Sequence, residues 1–209
     1  MSKVEYLGDE PTLFLDISST CTGWAVASMD RKTRKAKIKK AGVMWFHKDW
    51  DHGRKYKEIQ DFILNVAYIQ FRIQNIVAEG YMVNPKRAMG TLVIPEATGA
   101  VKASCYEAVI PLGFRTILPQ SWRSALGIKK NKKIAGTKAW KEPTKEVIEN
   151  ILGKLPEKIM NNITGKERAT PYDLYDALGV CLGWLSREPN NCTEFVLEEG
   201  AIANVDQTS

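Results

Sequence analysis

Four acidic residues of this chain stand where the neighbouring residues make a carboxylate unexpected. Asp16 ends the apolar run LFLD and Glu79 ends the apolar run IVAE, although β-strands disfavour acidic residues. Asp173 and Asp176 are three residues apart, so their like charges share one face of a helix. A bound cation would relieve that repulsion, and so would the positive end of the helix dipole. Taken singly, Asp16 is better explained as a turn former and Glu79 as the first residue of a loop.

The elements that carry the four acids are expected to bring them together. An apolar stripe over residues 54–75 predicts a helix between the strands that end at Asp16 and Glu79. A strand, a crossover helix and a second strand pair in parallel, which places both acids at one edge of the sheet, and the last helix adds the two aspartates. Such an all-oxygen site suits Mg²⁺ or Mn²⁺. Two such ions, about 4 Å apart, can activate a water and stabilise the leaving oxygen of a phosphodiester.

The periodicity of the whole chain predicts an α/β fold with a mixed five-stranded sheet flanked by helices. Three strands within residues 13–46 form an antiparallel meander, and two short parallel strands follow. The predicted helices cover about 54–75, 95–110, 143–154 and 171–187, the last one capped by Thr170. We expect one domain over 1–187 with a flexible lysine-rich insertion at 129–145, and a loosely attached polar tail over 188–209.

Charge is distributed unevenly along the chain. The 209 residues carry 30 basic and 24 acidic side chains, a net charge of +6. Residues 31–40 contribute +7 and residues 129–145 contribute +6, so the rest of the chain is acidic at −7. The second run favours a nucleic-acid contact, whereas the first fits a phosphate contact and a lysine-rich edge strand equally well.

Several classes of protein are excluded by composition. The four cysteines form no CxxC pair and the two histidines are far from them, which argues against a disulfide framework and a zinc site. No apolar stretch has the length of a membrane span, and the first residues lack the apolar run of a signal peptide. We therefore expect a cytoplasmic protein that makes no membrane contact.

The acidic segments LFLDISSTCTGWAV, IVAEGY and DLYDALG, in this order, resemble the three acidic motifs of RuvC-type Holliday junction resolvases. The resemblance covers most of residues 12–187 and implies a ribonuclease H-like fold. It also implies that Asp16, Glu79, Asp173 and Asp176 bind two divalent metals as the catalytic ligands. In this family a homodimer nicks opposed strands of a four-way DNA junction and leaves 5′-phosphates, without a nucleotide cofactor.

Two departures from the family pattern accompany the resemblance. Ile17 and Ser18 follow the first aspartate where the family commonly has Pro-Gly, and the lysine-rich insertion has no counterpart in shorter relatives. With its compact, basic and divergent sequence, the chain is more similar to a bacteriophage enzyme than to a cellular one. This implies the cytoplasm of a host cell as its location.

The resemblance also implies candidate DNA-binding residues. Tyr81 and Met82 follow the glutamate on a loop that meets junction bases in related resolvases, and Lys86 and Arg87 on the same loop are placed to contact phosphates. The lysine-rich insertion supplies Lys129, Lys130, Lys132 and Lys133, with Lys141 or Lys145 near the scissile phosphate. For the loop after the glutamate, the alternative is a loop folded onto the core. For the lysines of the insertion, the alternative is ordinary solvent exposure.

Two other functions fit parts of the sequence. A binding module that recognises junctions or structured RNA without cutting them would keep the basic runs, although it would not need all four acids. An ATPase fragment of the actin-like superfamily is suggested by DISSTCTG, which is similar to the first phosphate-binding segment of that group. The length of 209 residues argues against it, because those proteins duplicate the domain.

Overall fold

The computed structural model describes residues 10–81, 93–108, 112–136, 138–187 and 189–202. They form a six-stranded mixed sheet, helices on both of its faces, and a separate two-stranded hairpin. The strands are β1 (Thr12–Ile17), β2 (Cys21–Asp30), β3 (Lys35–Trp45), β4 (Asn75–Glu79), β5 (Gly113–Ile117), β6 (Lys158–Asn161), β7 (Lys166–Ala169) and β8 (Glu194–Leu197). The helices are α1 (His52–Asp61), α2 (Ile69–Phe71), α3 (Val93–Glu107), α4 (Pro119–Ala125), α5 (Lys138–Leu152) and α6 (Tyr172–Leu185), with a π-helical segment, Phe62–Tyr68, joining α1 to α2.

The strand order in the main sheet is β5-β4-β1-β2-β3-β8. Strands β1, β2 and β3 pair antiparallel and form the predicted meander. Strand β4 pairs in parallel with β1, and β5 pairs in parallel with β4. The α/β class and the mixed sheet are therefore confirmed, with six strands where the sequence predicted five. Strand β1 is central, and all six of its residues are buried because helices cover both faces.

The sixth strand comes from the segment expected to be a loosely attached tail. Strand β8 pairs in parallel with the start of β3, and Lys35 Nζ lies 2.6 Å from Glu194 Oε2. The side chains of Phe195 and Leu197 alternate toward the core. Without β8, the outer edge of β3 would have unpaired backbone N–H and C=O groups, and β8 pairs with them. The basic run 31–40 accordingly forms a turn and half of β3, at the end of the sheet away from Asp16.

The sheet separates two apolar cores. One face, built on Phe14, Ala25 and Val43, packs against α4, α5 and α6. The other face, with Leu13 and Leu15, packs against α1, the π-helical segment and α3. The alternation of side chains along β1 sends neighbouring residues to opposite cores. Within the described ranges, no helix is both long enough and apolar enough to cross a membrane.

The lysine-rich insertion is only partly a loop. Helix α5 begins at Lys138, five residues before the predicted start, although Pro143 lies inside it. Proline has no backbone N–H, so it leaves the carbonyl of Ala139 without its helical donor. The backbone N–H of Asn131 donates to that carbonyl at 2.9 Å. The loop thus supplies the hydrogen bond that the proline removes, and Lys141 and Lys145 lie on the helix.

Candidate active site

Two of the four predicted acids lie side by side at the carboxyl ends of β1 and β4. The parallel register pairs Leu15 with Ala78, so the next residues, Asp16 and Glu79, are neighbours. Asp16 is 9% exposed, and its carboxyl group shares a hydrogen bond with that of Glu79. The prediction that the crossover helix brings these two strand ends together is confirmed.

Helix α6 carries the other two acids to the same place. Its first turn lies directly against Gly23 of β2, which is paired with Asp16 in the antiparallel register. A Cβ atom at Gly23 would be 1.9 Å from the backbone oxygen of Asp173, so only glycine allows this approach. Asp173 and Asp176 both lie close enough to Asp16 for their charges to act on its carboxyl group. The structure therefore brings all four acids together.

Helix α4 adds two residues that the sequence did not assign to the site. The Trp122 Nε1–H donates to Glu79 Oε1 at 2.8 Å. Arg123 Nη2 lies 3.5 Å from Asp176 Oδ1 and 3.8 Å from Glu79 Oε1. The indole of Trp122 is fully buried against α6 at Gly179, where a Cβ atom would be 2.4 Å from the ring. The indole thereby orients the Glu79 carboxylate, and the guanidinium partly neutralises two of the acids.

These contacts perturb the protonation of three carboxyl groups. Burial raises the pKa of Asp16 well above its usual range, and the charges of Glu79, Asp176 and Asp173 raise it further. Burial also raises the pKa of Glu79, against the opposing effects of Trp122 and Arg123. The pKa of Asp176 is raised to about 7 by burial and by the charge of Glu79, against the effect of Arg123. The cluster holds more negative charge than Arg123 offsets.

The donor set fits a hard divalent cation in its chemistry. Carboxylate oxygens are the ligands that Mg²⁺ and Mn²⁺ prefer, and Arg123 supplies a single positive charge among the four acids. In the described residues, however, no three histidine, cysteine, aspartate or glutamate side chains are grouped closely enough to hold an ion as they stand. Arg123 lies between two of the acids. Side-chain movement by these residues is therefore required before a cation can be coordinated.

Cys21 is a further neighbour that the sequence did not place near the acids. Its thiol interacts with the carboxylate of Asp173, and burial together with that charge raises the pKa of the thiol to about 12. The thiol is therefore protonated at neutral pH. A protonated thiol is a poor metal ligand, so the carboxylates are the candidate ligands of this cluster.

The candidate DNA-binding residues divide into three groups. Tyr81 is 41% exposed and follows Glu79 by two residues, whereas Met82, Lys86 and Arg87 lie outside the described residues. Lys129, Lys130, Lys132 and Lys133 are exposed on the loop before α5. Lys141 Nζ lies over the ring of Tyr172 and Lys145 Nζ over the ring of Tyr175, at 4.7 and 5.8 Å from the ring centroids. These last two lysines therefore lie against the first turn of α6 through its two tyrosines.

Comparison with known proteins gives matches among solved structures alone. No protein-family model and no curated sequence matches the chain. Thermus thermophilus RuvC in complex with a Holliday junction substrate matches with a TM-score of 0.59 at 18% identity, over 86% of this chain and 97% of RuvC. The chain has the fold of the Holliday junction resolvases. The yeast mitochondrial resolvase Ydc2 matches with a TM-score of 0.52 at 15% identity, over 87% of this chain and 80% of Ydc2.

A viral resolvase shares this resolvase fold. The fowlpox virus enzyme, in complex with Holliday junction DNA, matches with a TM-score of 0.50 at 11% identity, over 85% of this chain and 99% of the viral chain. The acidic motifs predicted the fold of the RuvC-type resolvases, and these structural matches confirm that fold. The fold explains why four acids separated by up to 160 residues in sequence meet at one sheet edge.

The raised pKa values predict that the metal-free resolvase fold loses stability as pH rises. Asp176 titrates near pH 7 when folded and near 3.8 when unfolded, so the folded state binds the proton more tightly. The stabilisation of the folded state by protonated Asp176 is fully present below pH 4 and is lost as pH rises to about 7. We expect thermal scans in a chelator to give a melting temperature about 5 °C lower at pH 8 than at pH 5.

The matched variant for this prediction is Asp176→Asn, which cannot ionise. Its melting temperature should change less between pH 5 and pH 8 than that of the wild type. Identical pH profiles for the two proteins would show that Asp176 carries no such shift. Addition of Mn²⁺ should raise the wild-type melting temperature more at pH 8, where the acids are ionised, than at pH 5.

Arg123 is expected to compete with a metal for Glu79 and Asp176, because both cations need the same carboxylates. We expect Arg123→Met to bind Mn²⁺ about tenfold more tightly, measured by calorimetry without DNA. Arg54→Met is the control, since the Arg54 side chain is 59% exposed on α1 and pairs with Glu58 at 2.7 Å. Weaker Mn²⁺ binding by Arg123→Met alone would mean that the guanidinium holds the carboxylates in place for the metal.

Proposed function

We propose that this protein is a metal-dependent endonuclease that resolves Holliday junctions and other branched DNA. The observation that carries the proposal is the meeting of Asp16, Glu79, Asp173 and Asp176 at one sheet edge. This cluster lies within a fold whose solved examples include resolvases bound to junction DNA. The basic residues around the cluster offer contacts for a phosphate backbone.

The four acids would hold two Mg²⁺ or Mn²⁺ ions, which when bound activate a water and stabilise the leaving oxygen in phosphodiester hydrolysis. Trp122 orients Glu79 through the hydrogen bond from its indole. Arg123 neutralises part of the cluster until the ions and the substrate phosphate arrive. The product of this hydrolysis carries a 5′-phosphate.

Substrate binding is assigned to the surfaces around the cluster. The segment after Glu79, with Tyr81, is placed to meet junction bases, and Lys141 and Lys145 beside α6 are placed to meet phosphates. Two copies of the chain, each with one site, would nick the two opposed strands of a four-way junction. A homodimer is therefore part of the proposal.

The test is cleavage of synthetic four-way junctions with Mg²⁺ or Mn²⁺, mapped at nucleotide resolution on one mobile and one fixed junction. Symmetrically placed nicks that need the metal and leave ligatable 5′-phosphates support paired resolution. Nicks at any branched structure without symmetry indicate a debranching nuclease instead. Sedimentation of the protein with and without the junction tests the homodimer.

One observation favours binding without cleavage as a second candidate. Arg123 already lies between Glu79 and Asp176, and no three potential ligands in the described residues are grouped around an ion site as they stand. Tight, metal-independent junction binding with intact DNA after incubation with Mg²⁺ and with Mn²⁺ would establish this candidate and reject the nuclease.

A further inference from the structure

A groove of about 590 Å³ lies between the carboxyl end of β3 and the β6–β7 hairpin. We call it the hairpin groove. Aromatic and basic side chains form much of its lining, and none of the described lining residues is acidic. The lining residues used below are Thr20, Trp45, Phe46, Lys48, Lys55 and Arg168. Aromatic surface beside several cations is the composition of a site that holds a nucleic-acid strand.

The walls of the groove are fixed by hydrogen bonds across the fold. Strand β8 pairs with Lys35–Ile38, and Ile202, the last described residue of the tail, forms a bridge to Ala41 of β3. Further along β3, the hairpin contacts the strand at Trp45, whose backbone N–H donates to Asn162 Oδ1 at 2.9 Å. On the other side, the N–H of Phe46 donates to the carbonyl of Thr20 at 3.2 Å. The backbone of Trp45 and Phe46 is therefore held in position before a ligand binds.

The groove lies at the same end of the sheet as the carboxylate cluster. The register runs from Asp16 to Gly23 to Val43, and Trp45 follows two residues further along β3. From strand spacing and rise, the backbones of Asp16 and Trp45 are about 12 Å apart. A stacked strand advances about 3.4 Å per nucleotide, so the groove is about three or four nucleotides from the acids.

The cations of the groove lie along this path. Lys55 Nζ donates to the carbonyl of Ser19 at 3.0 Å, in the turn that follows Asp16. The guanidinium of Arg168 lies over the ring of Trp45, 5.8 Å from its centroid, and Lys48 is exposed at the rim. Each of these groups presents positive charge to the groove. A backbone leaving the acids in this direction would meet all three.

We propose that the hairpin groove holds an unpaired DNA strand of the substrate, three or four nucleotides from the scissile phosphate. One base contacts the aromatic floor of Trp45 and Phe46, and the phosphates pair with Lys48, Lys55 and Arg168. The assignment rests on the proposed nuclease function for its substrate. It adds the requirement that the strand beside the cut is open, which favours junctions and forks over continuous duplex.

Two charge-removing double variants, one with both residues in the groove lining and one with both residues outside it, give a matched test. The double variant Lys48→Gln/Arg168→Gln removes two groove cations, and Lys158→Gln/Lys166→Gln removes two hairpin cations that do not line the groove. Binding of fluorescent oligothymidine and of a four-way junction is measured over a range of salt. The groove variant should bind oligothymidine at least about tenfold more weakly, with a salt slope reduced by about 1.4, and the control less than twofold more weakly.

A second measurement uses the wild-type protein and reports the aromatic contact. A four-way junction carries 5-iodouracil at successive positions from the branch point, and crosslinked peptides are identified by mass spectrometry. Crosslinks to Trp45 or Phe46 from a position three or four nucleotides from the cut support the proposal. Crosslinks confined to other peptides, or equal loss of binding in both double variants, overturn it.

The outcomes separate this proposal from the nuclease function. If junctions are cut and the groove variant binds and cuts like the wild type, the groove proposal fails and the nuclease stands. If no junction is cut but the groove variant loses oligothymidine binding and the wild type crosslinks at Trp45, the nuclease fails. The groove then stands as a strand-binding site.

Discussion

Asp16→Asn is expected to reduce cleavage of a four-way junction at least about a hundredfold and to leave junction binding unchanged or tighter. The amide keeps the shape of the side chain but removes a negative charge from the centre of the cluster, where a metal ion needs it. Removing that charge also reduces repulsion of the substrate phosphate. Single-turnover cleavage in Mg²⁺ and in Mn²⁺, with binding measured in Ca²⁺ or chelator, checks both halves of the expectation.

The control is Glu157→Gln, which makes the same chemical change on a side chain that is 78% exposed and pairs with Lys154. It should cut and bind as the wild type does. Asp176→Asn should behave like Asp16→Asn, because both carboxylates belong to the cluster. Undiminished cleavage by both active-site variants would reject the site assignment and leave DNA binding untouched.

Gly23→Ala is the second change with a large expected effect. The new Cβ atom would overlap the backbone oxygen of Asp173 and force the first turn of α6 away from the sheet. Overpacking of this kind costs about 1–3 kcal/mol, and the displacement also moves Asp173 and Asp176 away from Asp16. We expect a melting temperature about 5 °C lower and loss of the stabilisation by Mn²⁺.

Gly99→Ala provides the matched control for this substitution. Gly99 lies within α3, and a Cβ atom at this position would have no neighbour within 4 Å, so alanine should be neutral or slightly stabilising. Both variants are compared by thermal unfolding in chelator and in Mn²⁺, and by junction cleavage. A Gly23→Ala protein that retains wild-type stability and Mn²⁺ response would mean that the approach of α6 to β2 does not hold the site together.

Much of the carboxylate cluster could be predicted from local patterns. Apolar runs that end in an acid mark the ends of β1 and β4, and the handedness of the crossover places Asp16 beside Glu79. Helical spacing puts Asp173 and Asp176 on one face of α6. Gly23 is a further local signal of the packing of α6, since a glycine within a strand often marks the close approach of another backbone.

Other features depended on contacts between distant segments. Pro119 marks the start of a helix directly after β5, but nothing local directs Arg123 toward Asp176 rather than into solvent. The prediction of a Thr170 cap was wrong: its hydroxyl donates to the carbonyl of Pro156, and Pro171 takes the N-cap position. Side chains at element ends choose between several partners, and only the packed fold decides among them.

The sequence by itself determined the α/β class, the meander, the parallel strands and the four acids at one edge. These follow from periodicity and chain connectivity, which act over one or two elements. The tertiary structure alone decided that the tail adds β8, that Arg123 lies among the acids, and that the β6–β7 hairpin forms a groove against β3. The physical reason is that local sequence shows only that an apolar face or an unpaired strand edge must be covered. Which segment of the chain covers it depends on the packing of the whole fold.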